Sequence, residues 1–289
     1  MKYLNIDEVK PGMILASTIY DNNARILLAS NKSLTSSIIS RLRMLKFNKV
    51  CVYNKNDESY YKPLLDDCVR QSALRNLKNL DIDNCLYIAN TITNQVLSDP
   101  DYVYNLQSIG SYDNITFDHS INVAILSTMI GVSMGFDNQM LKKITLAGLL
   151  HDIGKTSINH NIIAKEGKLT TLEYDEVKNH PTYGLAILRQ NCLTSAVVLN
   201  AVYSHHENED GTGYPRGLKG NKIHIVAKIL HAVDVYDALV SKRSYKDSVD
   251  RLSVMNYMVS NIGTLFDKTV VRNLIKCVSD NNYTMRLCA

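Results

Sequence analysis

Hydrophobic and polar positions change rhythm once along this chain. Before residue 60 the apolar runs are short and separated by turn residues. After Pro11-Gly12, "MILASTIY" and "ARILLA" read as strands around the turn "DNN" at 21–23. "TSSIISRLRMLK" has helical spacing with Thr35 or Ser36 as N-cap, and "KVCVY" closes the unit as a third strand. The polar "NKNDES" at 54–59 reads as a linker.

Beyond Lys62 the strand signal fades. Apolar residues recur at helical spacing in "NLKNLDIDNCLYIANTITNQVL", "HSINVAILSTMIGVSM", "QMLKKITLAGLL", "YGLAILRQ", "TSAVVLNAVYS", "HIVAKILHAVDVYDALV" and "RLSVMNYMVSNI". Seven or so helices with short connections predict an all-α domain. The expected protein is therefore mainly α: a small α+β module over 1–60, a helical connector over 61–110 and a helical domain over 111–289. No internal repeat or low-complexity segment interrupts it.

Composition narrows the function classes. Of 289 residues, 45% are hydrophobic and 21% charged, which is ordinary for a globular chain with a full core. A net charge of +4 is too small for the basic stripe that binding to polymeric nucleic acid needs. The local excess in "RLRMLKFNKV" reads as a solvated helix face. The six cysteines are scattered without a C-x-x-C pair, which fits a reducing compartment better than a zinc knuckle or a disulfide framework. "MKYLNIDEVKPGM" has no signal-peptide core, and the most apolar run, "INVAILSTMIGVSMGF", is shorter than the ~20 residues that span a bilayer. The expectation is a cytoplasmic protein with no membrane contact.

Candidate chemistry lies at the helix ends. His119 begins an apolar helix; His151 and Asp152 end the next, in "LLHDIGK", with Gly154 placed as its C-terminal cap. His180 precedes Pro181 and so marks a break between helices. His205 and His206 close "TSAVVLNAVYSHH". Asp234 and Asp237 fall three apart on or beside the apolar face set by Ala227, Leu230 and Val233. Carboxylates on a buried face need a cation or strong donors, and a metal cluster would serve Asp152, Asp234 and Asp237 together. A His and Asp ligand set suits iron, manganese or zinc. Taken singly, each residue has an ordinary reading: a satisfied core histidine, a helix-end aspartate, or half of a buried ion pair.

The ordered strings "HDIGK", "KNHPTYG", "HHENEDGTGYP" and "DVYDALVSKRSYK" resemble the HD-GYP family, a branch of the HD-domain metal-dependent phosphohydrolases. The resemblance runs from about "YDNITFDHS" through "GTLFDKTVV", more than half of the chain. The opening "VKPGMILASTIYDNNARILLASNKSL" is similar to a small module often found ahead of such domains. The resemblance implies an all-α domain that hydrolyses cyclic di-GMP to linear pGpG and GMP with water activated by two divalent ions, commonly iron, with manganese as a substitute. It also implies that His119, His151, Asp152 and Asp234 hold one ion, and His180, His205 and His206 the other, with Asp152 bridging. Asp152 and Lys155 would carry the catalysis; Lys155, Gly213, Tyr214, Pro215, Arg243 and Lys246 would meet the substrate, and Asp237 would support the ligands. A third ion in some members needs a glutamate where this chain has Ile115. His231 stands where the family more often has a small or apolar residue, and reads as a core residue, a partner of Asp234 or an unexpected ligand. Other cyclic dinucleotides, or a non-catalytic binding role, remain alternatives. A second copy of the chain or a signalling protein is the expected partner class.

Overall fold

The computed structural model describes residues 2–16, 19–20, 26–29, 32–45, 47, 49–53, 67–98, 115–165, 167–243 and 251–278. The chain divides into two compact units, one of residues 1–71 with 105–115 and one of 72–104 with 116–289.

In the first unit, β1 (Lys2–Asn5), β5 (Lys49–Tyr53) and β2 (Ile14–Leu15) form an antiparallel sheet in the order β1-β5-β2. β3 (Ile19–Tyr20) and β4 (Ile26–Leu28) pair as a separate hairpin. The run "MILASTIY" is thus two short strands that join different sheets. "KVCVY" is the central strand because it pairs on both sides. Helix α1 (Ser36–Met44) starts where Thr35 accepts a hydrogen bond from the Ile38 amide, at 3.3 Å. Ile39 and Leu42 of α1 join Leu15, Leu34, Val50 and Val52 in the core. Strand β1, which the sequence reading did not anticipate, covers the free edge of β5.

The second unit is helical throughout its described length, apart from turns: α2 (Asp67–Lys78), α3 (Ile82–Ser98), α4 (Ile115–Ser133), α5 (Asn138–Leu150), α6 (His160–Ile163), α7 (Thr171–Val177), α8 (His180–Gln190), α9 (Ala196–Ser204), α10 (Ile225–Arg243), α11 (Arg251–Ser260) and α12 (Lys268–Val278). Within the span expected to be a connector, α3 packs on α5 and buries Ile88, Ile92 and Val96, so it helps to build the helical core. α4 is buried from Ser120 to Gly131 on every face and forms the centre. α5 packs against α9, and α10 packs against α9, α11 and α12. Among the described residues no helix is long and apolar enough to cross a membrane.

Two features hold α3, α4 and α5 in fixed register. Thr93, Thr128 and Thr145 meet in the interior, with Thr145 Oγ1 2.7 Å from the hydroxyl of each of the other two. Gly148 of α5 lies against α4 so closely that a Cβ there would stand 2.6 Å from Ala124 Cα. Backbone cannot yield as a flexible side chain can. Gly148→Ala is therefore expected to cost about 1–3 kcal/mol through overpacking, read as a lower urea midpoint with an unchanged slope.

Candidate metal centre

Five helices bring the site together inside the second unit. His119 comes from α4, His151 and Asp152 from the end of α5, His180 from the start of α8, His205 and His206 from the end of α9, and Asp234 and Asp237 from α10. One local device orients three of the rings. The Nδ1–H of His151 donates to the Gly148 carbonyl at 2.8 Å, that of His180 to Val177 at 2.7 Å and that of His205 to Val202 at 2.7 Å. In each case the acceptor is the carbonyl three residues back, at a helix end where carbonyls lack partners along the helix. The bond fixes the tautomer and leaves Nε2 as a lone pair pointing inward.

These lone pairs converge. Nitrogen and oxygen atoms of His119, His151 and Asp152 lie within 4.8 Å of one another, and so do the nitrogens of His180, His205 and His206. Asp152 stands between the two groups. Its Oδ2 is 3.3 Å from His151 Nε2, while its Oδ1 is 3.3 Å from His180 Nε2 and 4.0 Å from His205 Nε2. Asp234 reaches across on the other side, with Oδ1 2.9 Å from His119 Nε2 and 4.0 Å from His151 Nε2, and Oδ2 4.0 Å from His206 Nδ1.

A divalent ion fits this arrangement. His180 Nε2 and His205 Nε2 face each other at 3.1 Å, and neither has a proton to offer if both Nδ1 atoms donate to backbone. Two ligands at right angles, each about 2.1 Å from one ion, stand about 3 Å apart. Among the described residues His151 Nε2 and Asp152 Oδ1 are buried without a hydrogen-bond partner, which is costly unless a cation accepts their lone pairs. The two groups could each hold a metal ion.

The electrostatics agree. Burial pushes the His180 imidazole down, pushes His205 far down with like-charge repulsion from His206, and takes His206 to about 3, so these rings are neutral donors at physiological pH. Asp152 and Asp234 would be raised by burial, but Lys155 with His151 and His119 with His206 hold them well below the usual carboxylate range. His119 differs from the other rings. Burial opposes its charge, yet hydrogen bonds to Asp234 at 2.9 Å and Asp237 at 2.6 Å raise it to about 10. Asp237 fixes the ring at Nδ1 in the way that backbone carbonyls fix the other three.

Exposure marks the open side. His151 and His205 are fully buried, whereas the side chains of His119 and Asp234 are each 15% exposed, His206 20% and Lys155 28%. Lys155 Nζ lies 2.5 Å from Asp152 Oδ2. Tyr214 stacks on His206 with ring centroids 4.7 Å apart and 24° between planes. Gly213 is required beside it, because a Cβ would overlap the Asn208 amide and the His206 carbonyl. Pro215 is half-buried and follows a cis peptide bond. Arg243 ends α10, but its side chain and all of Lys246 lie outside the described residues.

Gly154 does not cap α5 with a left-handed turn. It lies in a 3-10 helix, Ile153–Ser157, that packs on α8, and a Cβ would overlap the His180 carbonyl oxygen. Its lack of a side chain lets Asp152 and His180 approach. Glu207, which the sequence reading did not single out, is buried; its two oxygens accept from the Arg216 and Leu218 amides, each at 2.8 Å. It fastens both ends of the turn that carries Tyr214. The available signal was its position directly after the apolar helix end.

A family model described as HD domain matches residues 67–270. A curated cyclic di-GMP phosphodiesterase of Pseudomonas aeruginosa is 34% identical over 199 residues, covering 69% of this chain and 48% of that protein. A 3'3'-cGAMP-specific phosphodiesterase of Vibrio cholerae is 37% identical over 150 residues, covering 52% of this chain and 35% of that protein. The chain thus spans about half the length of these curated relatives, or less. The solved structure of an HDG"Y"P protein from Bdellovibrio bacteriovorus shares the fold, with TM-score 0.60 and 16% identity over 100% of this chain and 99% of the other.

Two outcomes follow from the geometry. Glu207→Gln removes one charged acceptor and is expected to cost about 1–3 kcal/mol, with the loop rather than metal content affected. Denaturation together with elemental analysis checks this. The metal-free protein should be most stable near pH 6.5. Below the ordinary imidazole value of 6.5 the unfolded chain takes up protons that His180, His205 and His206 refuse in the fold, so stability falls as pH drops toward about 3. The His119 contribution is complete below 6.5 and is lost as pH rises through about 10. Urea titrations across pH in the presence of a chelator would show both limbs.

Proposed function

Because the chain belongs to the HD-domain family, as its HD-GYP motif series implied, we propose that it is a metal-dependent phosphodiesterase that hydrolyses cyclic di-GMP to linear pGpG and GMP. The observation that carries this reading is Asp152, whose two oxygens face two separate histidine groups. His119, His151 and Asp234 would hold one ion with it, and His180, His205 and His206 the other. Iron is the expected metal and manganese a competent substitute. When bound, a pair of such ions supplies an activated water and neutralises charge in the in-line displacement at phosphorus.

The chain's own groups supply the rest. Lys155 holds Asp152 in place and puts a positive charge on the open side, where phosphoryl oxygens gain negative charge in the transition state. Tyr214, stacked on His206, presents a flat wall to a nucleotide base, with Gly213 and Pro215 setting its angle. Arg243 adds a planar fork for a phosphate and Lys246 a point charge. A water oxygen would form the new bond to phosphorus as the phosphorus–O3' bond breaks, and a proton from that water would end on the departing O3' oxygen. A second round on the linear product gives GMP.

The relatives include enzymes named for cyclic di-GMP and for 3'3'-cGAMP, so substrate choice is the second question. Ile115, in place of a carboxylate, supports two ions rather than three. Protein purified without oxygen and supplied with ferrous iron or manganese should bind two ions per chain and turn cyclic di-GMP into pGpG and GMP. Asp152→Ala should lower that rate by at least about 10³, as removal of one member of a cooperating set does. Faster turnover of 3'3'-cGAMP would reassign the substrate, and no turnover of either with both ions bound would reject a catalytic role.

A further inference from the structure

We infer that His231 is a positioning residue for the second histidine group: its Nδ1–H holds the carbonyl of His205 and thereby fixes the corner from which His205 and His206 aim their rings. The inference rests on the metal-centre reading above and adds a member that the ligand series does not contain.

His231 lies in α10, one turn before Asp234, and is 7% exposed. Its Nδ1 is 3.0 Å from the His205 carbonyl oxygen. That carbonyl belongs to the peptide bond joining the two adjacent histidines, so its direction sets the plane between them. It also lies at the end of α9, where carbonyls run out of helical partners. Val202 already holds the His205 ring at Nδ1, at 2.7 Å. His231 supplies the matching restraint on the backbone, and the carbonyl of His206 takes the Tyr214 amide at 3.1 Å. Three successive restraints thus run from the His205 ring to the Tyr214 wall.

The ring of His231 is itself held on its far side. It lies against Phe266, with centroids 5.3 Å apart, and edge-on to His206 at 6.5 Å. The Phe266 turn is tied to the loop after His206, because the Glu209 and Asp210 amides donate to the Leu265 and Thr264 carbonyls at 3.2 and 2.9 Å. One turn earlier in α10, Lys228 joins Glu209 and Asp267, at 2.9 and 3.2 Å. A small or apolar residue at position 231 would keep the Lys228 tie and lose the only side-chain donor described on the His205 carbonyl. Among the described residues the ring's Nε2 has no hydrogen-bond partner, so the Nδ1 bond is its polar anchor there.

The test uses side chains that separate the two ring nitrogens. Asparagine carries its amide nitrogen at the remove of Nδ1, and glutamine at that of Nε2. In the full chain, His231→Leu should weaken one of the two bound ions by about 10–100-fold in chelator competition, the usual effect of losing a group that orients ligands. His231→Asn should restore affinity close to wild type, and His231→Gln should not. A merely structural core role would instead make Asn and Gln equivalent, and that result, or unchanged affinity in the Leu variant, overturns the inference. Ring 15N spectra of the metal-free protein give an independent readout. The His205 and His206 signals should shift in the Leu variant and return in the Asn variant; unmoved signals also overturn the inference. A wild-type protein that binds no ion would refute the metal-centre reading alone, with His231 then decided by those spectra.

Discussion

Buried lone pairs that face one another are the constraint on which the helical unit depends. His180 Nε2 and His205 Nε2 stand 3.1 Å apart, with Oδ1 of Asp152 beside them, its Oδ2 beside His151, and a second carboxylate, Asp234, across the site. In an apolar interior the facing imidazole lone pairs repel one another, although Lys155 and His119 offset the two carboxylates, and dispersing the rings into solvent would be favourable if the fold allowed. The fold does not allow it, because each ring is fastened from behind. Backbone carbonyls hold His151, His180 and His205, and the Asp237 carboxylate holds His119. The cost of assembling these groups is therefore built into the scaffold. A divalent cation is the partner that reverses its sign.

That scaffold relies on close helix approach more than on large side chains. Gly148 lets α5 rest on the α4 backbone at Ala124, and Gly154 lets the turn bearing Asp152 rest on the start of α8 at His180. Both contacts are backbone against side-chain-free backbone, so neither can relax by a rotamer change. Ligand spacing thus follows from helix packing, and ångström-scale shifts between helices would reach the lone pairs directly. Buried threonines on α3, α4 and α5 serve the same end by giving that packing a fixed register.

Much of this was legible in the chain. Helical periodicity announced the helices that carry the site, and His119, His151, Asp152, His180, His205, His206 and Asp234, all named from the sequence, converge in the structure. What escaped has physical reasons. β1 is a four-residue strand whose stability comes from pairing with β5, and four residues carry too little alternation to announce themselves. α3 fell in the expected connector, because an amphipathic pattern does not say which neighbour its apolar face will meet. Gly154 looked like a helix cap because a glycine after a helix usually is one; its use for close approach depends on His180, 26 residues later. Glu207 was hidden for a similar reason, since nothing local reveals that its oxygens will meet the amides of Arg216 and Leu218.

The gradient of exposure across the site separates two tasks. Groups with no exposure, His151 and His205, are held by backbone and can only present a lone pair. Groups on the open side, His119, Asp234, His206 and Lys155, keep between 15% and 28% of their side-chain surface in contact with solvent. The solvent-facing side of the site thus carries the positive charge of Lys155 and, stacked on His206, the ring of Tyr214. The loop that carries this ring is fastened through Glu207 to its own amides, through Glu209 to Lys228, and through the Tyr214 amide to the His206 carbonyl. A change in that loop would therefore reach the histidines through the Tyr214 amide and the His206 carbonyl.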